Sequence, residues 1–337
     1  MGDGTPARCL RWLATVCLAV LVVPSATEAA GAREIVETTG IRGGLVVHLG
    51  CGDGTLTAAL KPSDSYLVHG LDRAAKHVAA ARKHIRKLGL YGPVAVARLR
   101  GARLPYADNL VSLVIAENLG GVPMAEVLRV LRPEGVAYVK ADGQWTKRTK
   151  PRPKDIDTWT HYLHGPNNNA VAHDAVVASP HRVQWVGEPK WARHHNHLSS
   201  LSAMVCSGGR WFAIVDEGPI ATLALPPEWK LVARDAFSGV VLWKRDVGPW
   251  EGHLRPFRSG PTELARRLVA VGDRVYVTLG YNKPLVALDA ATGKTLHTYE
   301  GTKGTVEILC AEGVLYLVAG TIDSEAYATT RRRSRPS

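Results

Sequence analysis

The chain predicts an α/β unit with a parallel, doubly wound sheet, followed by an all-β region. Up to about residue 140, short apolar runs alternate with amphipathic helical stretches, the pattern of parallel strands joined by crossover helices. The run VVHLGCGDG, Val46 to Gly54, ends an apolar strand in a glycine turn that opens a helix, and Asp72 follows about twenty positions on. Such a turn lets the backbone approach a nucleotide-like ligand, and the later carboxylate can hold ribose hydroxyls. Beyond about residue 180 the helical period disappears, and short β runs bounded by Gly, Pro and Asp take over.

The elements follow in order. Arg8 and Arg11 precede an apolar run from Trp12 to Val23 and a small-residue stretch ending Ala30-Gly31-Ala32. This is the order of a secretory signal peptide, and the run is short of the roughly twenty residues of a comfortable membrane span. Residues 1–32 are therefore expected to be removed on export to the periplasm or cell envelope, leaving no stable membrane span. Residues 33–142 form the α/β unit: a strand over Leu45 to Gly50, a helix from Thr55 that Pro62 stops, and a strand over Ser65 to Asp72. A helix over Ala74 to Leu90 then presents Val78, Ala81, Ile85 and Leu88 on one face. Strands at Val94 to Leu99 and Val111 to Asn118, a helix over Val122 to Gly135 and a fifth strand from Val136 complete it. The ligand crevice belongs at the carboxyl ends of these strands.

The formal charge of +12 suggests nucleic acid until it is located. Lys140, Lys147, Arg148, Lys150, Arg152 and Lys154 face only Asp142 in the 140–154 stretch, and Arg331, Arg332, Arg333 and Arg335 load the tail. A linker and a tail carry the excess, so no nucleic-acid partner is expected. After removal of the leader, Cys51, Cys206 and Cys310 remain in no paired spacing, which indicates neither a disulfide framework nor a zinc site.

The turn Gly50-Cys51-Gly52-Asp53-Gly54 has a G-x-G-x-G spacing and resembles motif I of class I S-adenosylmethionine-dependent methyltransferases. The acidic strand end at Asp72, the LPYADNLVSLVIAEN segment from Leu104 and the EVLRVLRPEGVAYV segment from Glu126 fall in that family's order, over roughly residues 44–140. The resemblance implies a Rossmann-like fold and S-adenosylmethionine as cofactor. Gly50, Cys51, Gly52, Asp53 and Gly54 would lie along its methionine and ribose portions, Asp72 would accept the ribose hydroxyls, and Glu117 would stand with Asn118 where the methyl group is presented. Asp108 matches a family position that is more often structural. No catalytic residue is singled out, because methyl transfer depends mainly on alignment and does not always need a base. Two departures stand out: His48 replaces the acidic residue two positions before the first glycine, and no sequence is seen for the antiparallel sixth and seventh strands, which predicts a truncated sheet of five.

Farther on, VARDAFSGVVLWKRDVG from Val232 aligns with VALDAATGKTLHTYEG from Val286 at an offset of 54 residues, with Asp235 over Asp289 and Gly239 over Gly293. The unit resembles the A-L-D-A-x-T-G-K-x-x-W repeat of pyrroloquinoline-quinone-like β-propellers of the outer-membrane-assembly type. That resemblance implies about three blades over residues 180–322, with Trp243 packed between blades and His297 departing from the pattern. No Glu/Asn/Asp constellation marks a calcium-quinone site, so a quinone is not expected. The segment 143–179 is read as a basic linker and a His/Trp-rich stretch; His161 and His164 could share a helical face, and His194, His195 and His197 cluster, but no metal-ligand spacing accompanies them. Residues 323–337 lack a β pattern and read as a disordered or aberrant tail, as in a fragment of a longer protein. The expectation is a methyltransferase domain, acceptor unknown, joined to a partial propeller. The alternatives are a non-catalytic exported scaffold that binds a protein partner through the propeller, and a quinone-dependent oxidoreductase fragment.

Overall fold

The computed structural model describes residues 26–176, 179, 183–189, 200–220, 225–250 and 262–320. Most of the expected signal peptide, the cluster of His194, His195 and His197, and the tail after residue 320 lie outside the described residues.

The first unit is a six-stranded sheet with helices on its faces. In chain order it comprises α1 (Ala26–Thr39), β1 (Gly44–Leu49), α2 (Thr55–Ala59), β2 (Tyr66–Asp72), α3 (Ala75–Lys87) and β3 (Val94–Arg98). It continues with β4 (Val111–Ala116), α4 (Met124–Val130), β5 (Leu131–Ala141) and β6 (Gln144–Thr149). The strand order is β3-β2-β1-β4-β5-β6, parallel except for β6, which runs antiparallel to β5. Both faces of β1 and β4 are covered and every residue in them is buried, as expected of central parallel strands. On α3, Val78, Ala81 and Ile85 are buried and Leu88 is half-buried, as the 3.6-residue period predicts.

Two expectations about this sheet need correction. The sheet has six strands, not five, because Gln144–Thr149 folds back on β5 through a turn at Asp142 and Gly143, both at positive φ. Its alternation was hidden by basic residues: β6 is an edge strand exposed along most of its length, so lysine and arginine are tolerated there and also discourage edge-to-edge pairing. Trp145 is the exception, half-buried and stacked on Tyr138 of β5 with ring centroids 4.8 Å apart. The helix expected through Gly135 ends at Val130, and β5 starts there. Leu131 pairs with Val111, an irregularity follows before Val136 pairs with Leu113, and Glu134 takes φ 62°.

The second region contains antiparallel sheets. β7 (Leu201–Ser207), β8 (Arg210–Asp216), β9 (Trp229–Asp235) and β10 (Val241–Asp246) form one meander. After α5 (Thr262–Ala265), a second meander comprises β11 (Leu268–Val271), β12 (Arg274–Thr278), β13 (Leu285–Asp289) and β14 (Thr295–Tyr299). β15 (Thr305–Ala311) and β16 (Val314–Ala319) pair as a hairpin. One core spans both meanders and includes Phe212, Leu231, Trp243, Leu268, Val275 and Leu288.

The repeat seen in the sequence is a repeat of packing. Trp243 Nε1 donates to Ala290 O at 3.0 Å, and a Cβ on Gly293 would meet the Trp243 ring at 2.6 Å. The same pair of contacts occurs at the acceptor turn 54 residues earlier, where Trp185 Nε1 donates to Ala236 O at 3.0 Å and a Cβ on Gly239 would strike the Trp185 ring at 2.5 Å. Each glycine is needed twice over, at φ 72° or 69° and under an indole. His161 and His164 share no helical face. They form an isolated bridge across a turn, with His161 Nε2 accepting from Cys310 N at 3.0 Å and His164 Nε2 donating to Asp157 at 2.7 Å.

The two regions meet at the amino ends of the parallel strands. Arg132, at the start of β5, lies 3.1 Å from Asp235 at the end of β9; the Asp235 side chain is buried, at 3% exposure, and that of Arg132 mostly so, at 14%. Ser65 Oγ donates to Leu242 O at 2.6 Å, and Gly43 and Gly44 leave no room for a Cβ against Leu242 and Ser112. Asp235 Oδ1 also accepts from the Phe237 and Ser238 backbone N–H groups of its own turn. Docking at this end leaves the carboxyl ends of the strands free. Arg132→Ala strands a buried carboxylate and is expected to destabilise the chain by about 3–5 kcal/mol in urea unfolding; a loss below about 1 kcal/mol would show that the turn N–H groups and Ser112 suffice for Asp235.

Candidate functional site

At the carboxyl end of β1 the chain turns sharply through Gly50, Gly52 and Gly54, at φ 74°, 55° and 89°. Gly50 N and Cys51 N both donate to Leu71 O, at 2.8 and 3.3 Å, which ties the turn to β2. Gly54 has a packing reason, since a Cβ there would lie 2.7 Å from Ala81 Cβ on α3. Gly50 and Gly52 have open space where a Cβ would point, so their backbone is accessible from the crevice. Cys51 faces inward, is buried, and its thiol is pushed up to about 12, chiefly by burial and then by the Asp72 charge. It packs beside Gly70 and stays a neutral small residue.

Asp72 ends β2 and organises the crevice. Oδ2 accepts from Gly52 N at 3.0 Å, and Oδ1 accepts from Ala74 N at 2.8 Å and His77 Nδ1 at 3.1 Å. Burial raises its pKa, but the two backbone N–H groups and His77 together outweigh burial and hold the carboxyl below its ordinary value. Asp53 lies in the turn, where Oδ1 accepts from Thr55 N at 3.0 Å at the start of α2; this hydrogen bond is the main reason its carboxyl is held low.

A cavity of about 440 Å³ opens beside the turn. Gly50, Cys51, Asp53 and His48 line it from β1 and the turn, Glu117 from the end of β4, Glu34 and Ile35 from α1, and Tyr138 and Trp145 from β5 and β6. His48 is buried, its Nδ1 is 2.9 Å from Thr57 Oγ1, and burial drives its pKa down to about 4 against the opposing pull of Asp72. Where the resemblance leads one to expect a carboxylate, the site presents a neutral imidazole.

The structure brings together Gly50, Cys51, Asp53 and Glu117 around the cavity, with Gly52 and Asp72 joined beside it. Asn118 serves its own turn, with Oδ1 accepting from Gly120 N at 2.7 Å. Asp108 is structural: Arg129 binds it, spans to Glu126 at 2.7 Å, and Glu126 in turn accepts from Leu104 N at 2.7 Å. The loop after β3 contributes a backbone contact, since Arg73 Nη2 donates to Gly101 O at 2.9 Å while its Nε donates to Gly120 O at 2.8 Å. Glu34, Tyr138, Trp145, Arg73 and His77 were not legible as site residues. His77 had a local signal, five positions after Asp72 at the start of a helix; the aromatic pair and Glu34 arrive from distant elements and had none. Among the described residues no group of three or more His, Cys, Asp or Glu could hold a metal ion, and no helix is long and apolar enough to cross a membrane.

Residues 46–135 match the family described as methyltransferase domain. A search of curated proteins returned no match. Similar solved structures include a candidate S-adenosyl-L-methionine-dependent methyltransferase from Methanococcus maripaludis, at 21% identity over 34% of this chain and 56% of that one, TM-score 0.32. A geranyl diphosphate C-methyltransferase from Streptomyces coelicolor, in complex with Mg²⁺, geranyl diphosphate and S-adenosyl-L-homocysteine, aligns at 18% identity over 33% of this chain and 45% of that one, TM-score 0.31. A SAM-dependent methyltransferase from Aquifex aeolicus aligns at 22% identity over 35% of this chain and 66% of that one, TM-score 0.30. The chain thus spans about half to two thirds of the length of these structures.

Two outcomes follow from this geometry. Gly54→Ala forces a side chain at positive φ into Ala81 and is expected to lower stability by more than about 1 kcal/mol, read from urea midpoints. His48 is neutral when folded, with a pKa near 4 against 6.5 for the free side chain. Its contribution is therefore complete above pH 6.5 and is lost as pH falls from 6.5 through 4, by about 3 kcal/mol at most. His161, also held near 4 mainly by burial, adds to the same window. Melting temperature measured from pH 7 to 4 is expected to fall less steeply in His48→Gln than in the unmodified chain.

Proposed function

We propose that the first unit is an S-adenosylmethionine-binding methyltransferase unit, with its methyl acceptor entering the cavity beside Glu117. The carrying observation is the coupling of the glycine turn to Asp72: Gly50 and Gly52 offer backbone with no Cβ in the way, and the Asp72 carboxylate is tied at 3.0 Å to the turn itself. The residues fit the cofactor in its nucleoside half, where a buried, ionised carboxylate can accept from ribose hydroxyls, and Gly50 and Gly52 can lie along the chain that leads to the sulfur. When bound, the cofactor supplies an electrophilic methyl group on a sulfonium. The chain's part is to orient and to exclude water: Glu34, Asp53 and Glu117 make the cavity acidic, and Tyr138 and Trp145 wall it with stacked rings. An acceptor held in line there needs no protein nucleophile.

The second region belongs in this proposal as part of a propeller of the quinone-dehydrogenase-like repeat class. The matched Trp185 and Trp243 contacts, 54 residues apart at their acceptor turns, support it. Export and a protein partner at this region complete the reading. A non-catalytic scaffold is the second reading, favoured by one observation: His48 is neutral where a carboxylate would help hold the methionine amino group.

Isothermal titration of the chain with S-adenosylmethionine and S-adenosylhomocysteine separates the two. Saturable binding is expected, weakened in Asp72→Ala by about 1.5–3 kcal/mol, the loss of hydrogen bonds to a charged acceptor. Absence of heat at high micromolar ligand leaves the scaffold reading.

A further inference from the structure

The two halves of the crevice are prepared differently. Beside Gly50 and Glu117 it is open as a cavity, whereas at Asp72 most of the hydrogen-bonding capacity is already taken by the chain. An ionised carboxylate offers about four acceptor positions. Ala74 N and His77 Nδ1 occupy two on Oδ1, and Gly52 N occupies one on Oδ2. A vicinal diol brings two hydroxyl donors to the one position left.

The three internal donors differ in what it takes to remove them. Gly52 N belongs to the glycine turn, which is fastened to Leu71 O by Gly50 and Cys51. Ala74 N is held because the neighbouring Arg73 is pinned on three sides, through its Nε to Gly120 O, its Nη2 to Gly101 O, and its own carbonyl to Arg98 Nε at 3.1 Å. His77 is a side chain on the first turn of α3, 45% exposed against 9% for the Asp72 side chain. It alone can leave by a rotamer change, with water waiting to solvate it.

We propose that His77 is a competing internal ligand of Asp72, displaced when a nucleoside diol binds, and that it sets the affinity of the nucleoside half of the site. This rests on the cofactor reading above and names a residue that reading does not use. An apparent dissociation constant rises by the reciprocal of the open fraction, so a latch closed about nine-tenths of the time weakens binding about tenfold.

Titration calorimetry on the full chain tests it, with adenosine, 2′,3′-dideoxyadenosine and S-adenosylhomocysteine as probes. His77→Ala is expected to tighten adenosine and S-adenosylhomocysteine about tenfold, and to leave dideoxyadenosine, which has no diol, unchanged. His77→Asn, which keeps an N–H near the Nδ1 position, is expected to stay close to the unmodified chain. His77→Leu carries the same expectation as His77→Ala and serves if the alanine variant does not fold. Unchanged or weaker adenosine binding in His77→Ala, or an equal gain for dideoxyadenosine, overturns the latch. If Asp72→Ala still weakens binding in that case, the cofactor reading stands without it. No heat from any probe with any variant removes the cofactor reading and the latch with it.

Discussion

Asp235 joins the two regions through the two oxygens of a single carboxylate. Oδ1 closes the turn between β9 and β10 by accepting from Phe237 and Ser238, and Oδ2 meets Arg132 at the amino end of β5. Burial of Asp235 makes this contact expensive to break, since its carboxylate alone would be a charge with almost no solvent. It also decides which end of the sheet is covered. With Ser65, Gly43 and Gly44 pressed against the same surface, the amino ends of β1, β2, β4 and β5 are closed and the carboxyl ends remain available to a ligand.

The open end is built on a second shared carboxylate. Asp72 is fastened to the glycine turn at Gly52 and to the start of α3 at Ala74, so the geometry of the turn and that of the helix are set by the same side chain. Because its hydrogen bonds outweigh the burial that opposes ionisation, the group is charged and ordered before any ligand arrives. Preorganisation of this kind removes an ordering cost from binding, yet here it also uses up acceptor positions, and the balance falls on His77. His48 and Cys51, by contrast, are kept neutral by burial, so the inner wall contributes shape and the charge comes from Glu34, Asp53 and Glu117 at the rim.

Much of this was legible in linear order. The apolar runs at Leu45, Ser65, Val94 and Val111 start within about a residue of β1 to β4; β1 and β4 were clearest, because strands buried on both faces need uninterrupted apolar sequence. The glycine turn and Asp72 were found together because their spacing is local, twenty residues across one strand-helix-strand unit. β6 was missed because an exposed edge strand need not be apolar, and its lysines and arginines looked like a linker. The early start of β5 was missed because Leu131 satisfies a helical face and a strand equally well, and only its pairing with Val111 decided the matter.

Sequence alone therefore determined the class of the first unit, the glycine turn with its carboxylate, and the 54-residue repeat, all of them set by short-range pattern and backbone requirement. Tertiary structure decided what the pattern could not express. It placed Glu34, Tyr138 and Trp145 beside Gly50, turned Asp235 from a hairpin residue into the anchor between regions, and set His77 on Asp72. Apart from His77, which stands five positions after Asp72, those contacts join residues whose separation along the chain carries no periodic signal, so only packing of the finished sheets could select them.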